Sequence, residues 1–513
     1  MWTKFGRDCL RSSLNLSIRR FSEIENPENF KRLRVEGFKR SGVEMYPSGY
    51  KIDSSVRSIL DRYEKMEKGQ TVDKSYKIAG IVTNIRDSGR KLKFVDMLSD
   101  GKKIQIKLHS NSFLNQEEFE LNTRWMKRGD RVGVQGSPCR TKSGELSLNS
   151  NHVTLLAPCL HVLPSSPIEN PTKRLSKRYR DILTNPELRR TLVSRSNIIK
   201  FIRHFLEERE FMEVETPILG NAVGGASATP FLTYHKEMKL DLFMRIAPEL
   251  YLKQLIIAGF DRVFEIGKLF RNEGIDASHN PEFTSCEFYM AYADYTDLMQ
   301  LTQALFSELC QAHNFQPRHG SIELDFIKPY SRLEFLQALE SALDTKLPEP
   351  ADLHHQDSFK FLLDICTRKE IPVSAPLTVP RLLDKLASAL LEPNLVQPTF
   401  LINHPMIMSP LSKPSPGNPD IAERFELYAG GMELCNAYTE LNDPEIQRKT
   451  LLTQSGMSDP ESMLPDEGFC TALEYGLPPT AGWGCGLDRL TALLTNTTNI
   501  RETITFPLIK PIQ

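Results

Sequence analysis

RVFEIGKLFRNEGIDASHNPEFTSCEFYMAYA, residues 262–293, is the stretch of sequence that decides the fold. Residues 262–270 are rich in Val, Phe and Ile, which is typical of a β-strand. Residues 271–281 contain Gly, Asp, Ser and an Asn-Pro pair, which favour a turn. Residues 282–293 are again strand-like, and Glu287 and Tyr289, two positions apart, are expected to share one face of that strand. The stretch therefore predicts a β-hairpin with a polar loop.

The predicted hairpin carries cationic and anionic side chains together: Arg271, Glu273, His279 and Glu287. An arginine fork suits phosphate or carboxylate oxygens. A carboxylate on a strand face suits an amine. A solvated hairpin without any ligand would carry similar charges, so the hairpin alone leaves that alternative open.

The order FRNEG, HNPEF and EFYMAYAD along this hairpin resembles motif 2 of the class II aminoacyl-tRNA synthetases, specifically the lysyl-tRNA synthetases. GWGCGLDR, residues 482–489, resembles motif 3 of that family, with the form GxGxGxxR, and is expected to be a glycine-rich turn that opens a helix and lets the backbone approach a nucleotide. A predicted long helix over 188–210, followed by a strand that ends at Pro217, resembles motif 1. The resemblance implies an α+β fold with an N-terminal OB-fold β-barrel, followed by a catalytic domain with an antiparallel sheet flanked by helices.

Composition sets broad limits on the rest of the chain. Its 513 residues allow two to four domains, and the net charge of −1 restricts nucleic-acid binding to a local patch. Nine cysteines without a CxxC pair support neither a zinc site nor a disulfide framework, which favours a reducing compartment. No apolar run is long enough to predict a membrane span.

The first 21 residues are basic and rich in Ser and apolar residues, with Asp8 as their one acid. This composition predicts a mitochondrial transit peptide at 1–21 and a mitochondrial matrix location. A basic RNA-binding arm is the alternative. Residues 22–75 are predicted to form a helical segment.

Residues 76–160 show five strand-like segments and one intervening helix at 111–126, the count of an OB-fold barrel. Such barrels bind single-stranded nucleic acid by stacking its bases on aromatic side chains that lie beside basic side chains. Phe94 is the aromatic candidate, although barrel core is the commoner place for a strand aromatic. By resemblance to the family, we expect anticodon binding by Arg86, Phe94, Gln105 and Glu145. A linker is predicted at 161–181 and the catalytic domain at 182–513.

Asn436, Tyr438 and Glu440 alternate along a second strand and are expected to share one face, although a solvent-facing strand edge would have the same pattern. Glu249 is expected at the start of a helix, and Gly225 lies in a small-residue loop. With the family resemblance, the predicted lysine-binding residues are Gly225, Glu249, Glu287, Tyr289, Asn436, Tyr438 and Glu440.

The resemblance also implies an ATP site and its magnesium ion. Arg271 and Arg489 are the expected catalytic residues, and they hold ATP together with Glu273, His279 and Phe283. Glu426 and Glu433 are the expected Mg²⁺ ligands. Glu433 has the opposite parity to Asn436, so both face the site only if a bulge or turn interrupts the strand.

The implied activity is lysine–tRNA ligation for mitochondrial translation by a homodimer that uses lysine, ATP and tRNA(Lys). The dimer rests on resemblance alone, because the apolar stripe of Ile198, Ile202 and Phe205 would equally fit an intramolecular core. An aspartyl- or asparaginyl-tRNA synthetase, a non-catalytic tRNA-binding paralogue and a lysyltransferase acting on protein are the alternatives. Two departures from the family are Ser278 and the charged run at 234–239, which we expect beside the active site. Residues 294–415 are expected to supply only supporting structure, with a helical insertion at 345–395.

Overall fold

The computed structural model describes residues 27–113, 115–164, 166–220, 224–226, 228–455 and 466–509. The chain divides into two compact units, with the boundary after Ile168. The predicted transit peptide lies outside the described residues. Among the residues that are described, no helix has both the length and the apolar character needed to cross a membrane.

The first unit contains the predicted OB-fold barrel. Its strands are β1 (Tyr76–Asp87), β2 (Leu92–Ser99), β3 (Lys102–His109), β4 (Arg131–Arg140) and β5 (Leu146–Ala157). They close in the order β1-β2-β3-β5-β4, with β3 and β5 parallel and the other pairs antiparallel. Alternate side chains such as Val95, Ile106 and Leu148 fill the interior. The helices of this unit are α1 (Pro27–Ser41), α2 (Val56–Arg62) and α3 (Gln116–Thr123), the last of which lies between β3 and β4 as predicted.

The second unit contains eleven further helices among its described residues. They are α4 (Pro171–Ser176), α5 (Arg178–Thr184), α6 (Pro186–Glu207), α7 (Glu249–Ile257), α8 (Tyr295–His313), α9 (Phe335–Leu343), α10 (Gln356–Arg368), α11 (Val379–Leu390), α12 (Pro444–Ser455), α13 (Glu467–Leu473) and α14 (Leu487–Leu494). Its strands are β6 (Met212–Glu213), β7 (Leu219–Gly220), β8 (Leu232–His235), β9 (Leu240–Met244), β10 (Arg262–Phe270), β11 (Glu282–Ala291), β12 (Arg318–His319), β13 (Ile322–Glu323), β14 (Ser331–Glu334), β15 (Thr399–Ile402), β16 (Pro414–Ser415), β17 (Asn418–Ala422), β18 (Arg424–Ala429), β19 (Met432–Thr439) and β20 (Thr480–Gly486).

Eight of these strands form the main sheet, in the order β14-β15-β18-β19-β20-β11-β10-β6. The central pairings are antiparallel, as predicted. The two outermost pairings, β14 with β15 and β10 with β6, are parallel, so the complete sheet is mixed. The hairpin β10–β11 has the predicted strand limits on both sides of its loop, because turn residues interrupt two strand-forming runs there.

One face of the sheet packs against helices α6, α8 and α14. The predicted apolar stripe of α6, Ile198, Ile202 and Phe205, is buried in this intramolecular core. The stripe therefore carries no argument for a dimer, because its apolar surface is already covered within the chain.

The predicted linker at 161–181 is only partly an extended connection. Its second half belongs to helices α4 and α5, and Arg178 is buried with ion pairs to Asp181 and Glu502. Four backbone carbonyls also accept hydrogen bonds from the Arg178 guanidinium, those of Arg501, Glu502, Ile504 and Thr505. Arg178, one of the basic residues of the predicted linker, is therefore not solvated but binds the backbone of residues 501–505.

Candidate active site

The second unit contains a cavity of about 550 Å³ over the central strands of its sheet. Residues of β11, β18, β19, β20, α7, α11 and the hairpin loop line it. Because strand side chains alternate, β11 directs Phe283, Ser285, Glu287 and Tyr289 to the cavity, while Cys286 and Phe288 lie in the core on the other face. Glu287 and Tyr289 therefore share one face of β11, as predicted, and that face borders the cavity.

The glycines of β20 form the floor between β11 and β19. Gly484 lies opposite Glu287 on one side and Asn436 on the other, and Gly482 lies in the same way between Tyr289 and Tyr438. A Cβ atom at Gly482 would overlap Glu440 Oε1 and would lie 2.5 Å from Cε1 of Tyr289. We expected a glycine-rich turn that opens a helix and approaches a nucleotide. These residues instead form a strand, in which the missing side chains make room for the tyrosine and glutamate side chains.

A β-bulge in β19 brings Glu433 to the cavity. Leu427 of β18 is paired with Cys435, whereas the next residue, Tyr428, is paired with Glu433, so that Leu434 is the extra residue. The bulge reverses the alternation between Glu433 and Asn436, and both line the cavity. Such a bulge or a turn is expected from the sequence, because Glu433 and Asn436 have opposite parity along the strand.

The amine-binding candidates meet at one end of the cavity. Glu249, at the first position of α7, is buried and accepts hydrogen bonds from the Tyr438 hydroxyl at 2.8 Å on each carboxylate oxygen. On its other side, Glu249 Oε1 lies 2.7 Å from Nζ of Lys253, which also forms an ion pair with Glu440. Glu440 is buried over Gly482 and, unlike the other six predicted lysine-binding residues, does not line the cavity.

Glu287 has a raised pKa because it is buried and lies near the carboxylate of Glu249. Burial raises the pKa of its carboxyl group, and the nearby charge of Glu249 raises it further, while Arg271 opposes the shift. The resulting pKa is about 8, so the carboxyl is mostly protonated at neutral pH. An ammonium group placed beside Glu287 would favour its ionised form.

The other end of the cavity is cationic. Arg271 lies with its guanidinium carbon 5.2 Å from the ring centre of Phe283. Its Nε is buried and has no hydrogen-bond partner within the described ranges. Arg489 donates to a carboxylate oxygen of Glu433 (3.1 Å), and its other terminal nitrogen lies 3.0 Å from Nε2 of His279.

His279 is in turn oriented by Asp276, whose carboxylate lies 2.9 Å from its Nδ1. Burial alone would raise the pKa of Asp276, but hydrogen bonds from the Ser278 amide and the His279 ring lower it to about 2. Asp276 is therefore ionised and holds His279 toward Arg489. Ser278, a departure from the family, takes part in this turn.

Both expected Mg²⁺ ligands line the cavity. Glu426 accepts hydrogen bonds from Arg424 and from the Tyr428 hydroxyl (3.0 Å). Burial would raise the pKa of Glu426, but the charge of Arg424 and then that of His404 lower it, so Glu426 is ionised. Close by, burial and the charge of Asp384 raise the pKa of Glu392 to about 7. The described residues contain no group of three or more metal-binding side chains that could hold an ion by themselves.

Several site residues were missed from the sequence. Lys253 is four residues after Glu249 on a predicted helix, and this i,i+4 spacing was the available signal. Arg424 alternates with Glu426 along β18. The predicted insertion at 345–395 is helical, but α11 and the segment after it contribute Arg381, Asp384 and Glu392 to the cavity, so the expectation of supporting structure alone was wrong. The charged run at 234–239 lies in the exposed β8–β9 hairpin, and none of its residues lines the cavity.

On the barrel of the first unit, three of the four predicted anticodon residues are neighbours on the outer face. Arg86 lies opposite Phe94 across β1 and β2, while Gln105 of β3 lies opposite Asp96, whose carboxylate pairs with Arg86 (3.1 Å) and Lys103 (3.0 Å). Phe94 is half-buried, whereas the next residue, Val95, is in the core. Gln105 Oε1 accepts a hydrogen bond from Ser147 Oγ (2.9 Å), and the exposed Glu145 lies two residues before Ser147.

Comparisons with known proteins agree with both units. The family "tRNA synthetases class II (D, K and N)" matches residues 170–510, and "OB-fold nucleic acid binding domain" matches residues 76–156. The chain is 41% identical to a probable cytoplasmic lysine–tRNA ligase of Encephalitozoon cuniculi, over 96% of this chain and 100% of that protein. It is 41% identical to the mitochondrial lysine–tRNA ligase of Schizosaccharomyces pombe, over 92% of both chains. It is 38% identical to a lysine–tRNA ligase of Aquifex aeolicus, over 96% of this chain and 90% of that protein. The chain therefore belongs to the class II tRNA synthetases of the D, K and N family and, within that family, to the lysine–tRNA ligases.

Proposed function

We propose that this chain activates lysine with ATP and transfers the lysyl group to the terminal ribose of tRNA(Lys). The proposal rests on one observation. The same cavity has an acidic end, with Glu249 and Glu287, and a cationic end, with Arg271 and Arg489. A lysine molecule in it would present its ammonium groups to the acids and its carboxylate to Arg271. The relatives at about 40% identity support the choice of lysine.

The chemistry needs no protein nucleophile. A carboxylate oxygen of lysine attacks the α-phosphorus of ATP, the bond to the bridging oxygen breaks, and pyrophosphate leaves. A hydroxyl of the terminal tRNA ribose then attacks the lysyl carbonyl and AMP leaves. The protein supplies position and charge. The buried Nε of Arg271 supports its assignment as the donor to the substrate carboxylate and α-phosphate.

The remaining ATP contacts are assigned to the loop and to α14. Phe283 would stack on adenine, and Glu273, His279 and Arg489 would hold the nucleotide; all four line the cavity. Contacts with Glu433 and His279 hold the Arg489 side chain in place. This reduces the conformational entropy that the side chain would lose when ATP binds.

Glu426 and Glu433 fit a Mg²⁺ site that ATP completes. Mg²⁺ takes one or two carboxylates and fills its other positions with phosphate and water oxygens, which agrees with the absence of a three-residue cluster among the described residues. Burial, followed by the negative charges of Asp384, Glu433 and Glu426, raises the pKa of Glu392 beside these carboxylates. When bound, the ion would neutralise charge on the polyphosphate.

Residues 76–160 are proposed to read the anticodon and residues 182–513 to carry the catalysis. The shared outer face of Arg86, Phe94 and Gln105 supports the first assignment, because anticodon bases are unstacked and can lie on an aromatic ring.

The homodimer remains a proposal that the apolar edge of the second unit supports. Strand β6 ends the main sheet. Exposed apolar side chains occur on it, directly before β7 and on the small β7-β9-β8 sheet: Met212, Ile218, Leu219, Leu232 and Leu240. A second copy would cover such a surface. A mitochondrial matrix location is proposed from the basic segment at 1–21 and from the mitochondrial relative in S. pombe.

ATP–pyrophosphate exchange by the purified chain from Ser22 tests the proposal, with lysine, ornithine, aspartate and asparagine as single substrates. Exchange with lysine alone is expected. Exchange with aspartate or asparagine would contradict the pocket assignment, because Glu249 would repel the side-chain carboxylate of aspartate and because neither side chain carries an ammonium group for the acidic end of the cavity. A folded protein without any exchange would favour the non-catalytic tRNA-binding alternative.

A further inference from the structure

His404 is a buried histidine that contacts the carboxylate of Glu426, one of the two proposed Mg²⁺ ligands. Its Nε2 lies 3.3 Å from Glu426 Oε2. Because Glu426 is ionised, its oxygens can only accept hydrogen bonds. The proton in this contact therefore belongs to Nε2, and His404 is the donor. Glu426 lines the cavity, whereas His404 lies behind it and does not.

A sharp turn of the chain after β15 places the His404 ring. Asn403 has a left-handed backbone with a φ of 59°, which residues other than glycine rarely adopt. Its amide donates to the Arg424 carbonyl of β18 (3.0 Å). The ring of His404 packs on that of Phe335, the first residue of α9, with 4.7 Å between the ring centres. The turn and this packing hold the ring beside β18, the strand that carries Glu426.

The ring uses one of its two nitrogens. Nδ1 of His404 is buried and has no hydrogen-bond partner in the part of the chain that the structure describes. A buried polar atom without a partner is unfavourable, and a phenylalanine ring would pack on Phe335 without this cost. The contact between Nε2 and Glu426 is therefore what distinguishes histidine from an apolar ring at this position.

Three side chains donate hydrogen bonds to Glu426. Arg424 donates to Oε1 (2.5 Å), whereas Tyr428 (3.0 Å) and His404 donate to Oε2. Arg424 and Tyr428 lie on β18, two residues before and two residues after Glu426. Of the three donors, His404 alone comes from outside the strand, so it fixes the carboxylate from a different direction. Carboxylates that bind metal ions are typically oriented by such hydrogen bonds.

We propose that His404 is a positioning residue that orients Glu426 for the Mg²⁺ ion that binds with ATP. It acts through the carboxylate, because it does not line the cavity. The second proposed ligand, Glu433, is held instead by Arg489 (3.1 Å). This inference rests on the proposed function, which assigns Glu426 to the Mg²⁺ site.

Calorimetry of a non-hydrolysable ATP analogue with and without Mg²⁺ tests the proposal. The readout is the factor by which Mg²⁺ lowers the Kd of the analogue. His404→Phe keeps a ring beside Phe335 but removes the donor, so this factor should fall about tenfold or more. The Kd without Mg²⁺ should stay unchanged. His404→Gln places an amide N–H group near the position of Nε2 and should keep most of the wild-type factor.

A double-mutant cycle separates the orientation of Glu426 from a general effect of the substitution. If His404 acts through Glu426, His404→Phe should have no further effect on the Mg²⁺ factor once Glu426→Gln is present. An equal loss in both backgrounds, or a wild-type factor in His404→Phe alone, would overturn the proposal. Thermal unfolding checks each variant, and His404→Met, which also lacks the donor, replaces the phenylalanine variant if that variant does not fold.

Failure of the proposed function has a different signature. Wild-type protein without lysine-dependent pyrophosphate exchange would refute that function, and Glu426→Gln with the wild-type Mg²⁺ factor would refute its metal site. A lower factor in Glu426→Gln together with a wild-type factor in His404→Phe would refute only the role of His404.

Discussion

Arg195 of helix α6 forms an ion pair with Asp488, the residue that precedes Arg489. The second carboxylate oxygen of Asp488 accepts a hydrogen bond from the Thr284 amide of strand β11 (2.9 Å), and Arg195 donates to the Thr284 hydroxyl (2.9 Å). These contacts join helix α6, strand β11 and the start of helix α14 beside the cationic end of the cavity, although the three elements are far apart in sequence.

Arg195→Met should destabilise the protein and lower its activity. The substitution leaves the buried Asp488 carboxylate without its cation, which typically costs about 3 kcal/mol of unfolding free energy. Arg190→Met on the same helix removes an exposed pair with Glu187 and should cost less than about 0.5 kcal/mol. Urea unfolding of both variants measures the difference, and equal effects would show that the ion pair with Asp488 contributes little.

Gly482→Ala should abolish the lysine pocket. Its Cβ would displace Tyr289 and Glu440, so we expect lysine-dependent pyrophosphate exchange to fall about a hundredfold or more. Gly417→Ala, in the turn between β16 and β17, provides the control, because its Cβ would meet no atom within 4 Å and Gly417 does not line the cavity. Full activity in the Gly482 variant would contradict the role of the glycine floor.

Lysine binding should release a proton at neutral pH. The pKa of Glu287 is about 8, and a substrate ammonium favours the ionised carboxylate, so about one proton leaves per lysine bound at pH 7. Because the complex holds fewer protons, the affinity for lysine should increase as the pH rises toward 8. Calorimetry in buffers of different ionisation enthalpy counts the protons, and a heat of binding that is independent of the buffer would contradict the shifted pKa.

The same shift affects the unligated protein. Native Glu287 keeps its proton to a higher pH than the unfolded chain, so its contribution to stability is present below the ordinary carboxyl pKa of 4.5 and is lost as the pH rises toward 8. Glu287→Gln should remove this part of the pH dependence of the unfolding free energy.

Phe94→Ala should weaken tRNA charging and leave amino-acid activation intact. A stacked base contributes about 1–3 kcal/mol, so the kcat/KM for tRNA is expected to fall by about 5- to 150-fold. Lysine-dependent pyrophosphate exchange should not change. Tyr46→Ala removes an exposed aromatic side chain from the same unit and serves as the control. Equal losses in the two variants would contradict anticodon stacking on Phe94.

The sequence by itself determined the β10–β11 hairpin, the five strands of the barrel and the face on which Glu287 and Tyr289 lie. These features depend on neighbours along the chain, through strand alternation and turn residues. The same local argument required a bulge before Glu433 could join Asn436, and the bulge is present at Leu434.

The tertiary structure alone decided which charges meet. Lys253 pairs with Glu440 across 187 positions of sequence, Arg195 pairs with Asp488, and α11 supplies Asp384 to a cavity built mainly by the sheet. The sequence predicted that Glu440 lies on the same side as Tyr438 but could not show that the ammonium group of Lys253 is buried against it. Burial and ion pairing depend on the distances between elements, which local periodicity does not contain, so the contacts of Lys253 with Glu249 and Glu440 are decided only when the helix packs against the sheet.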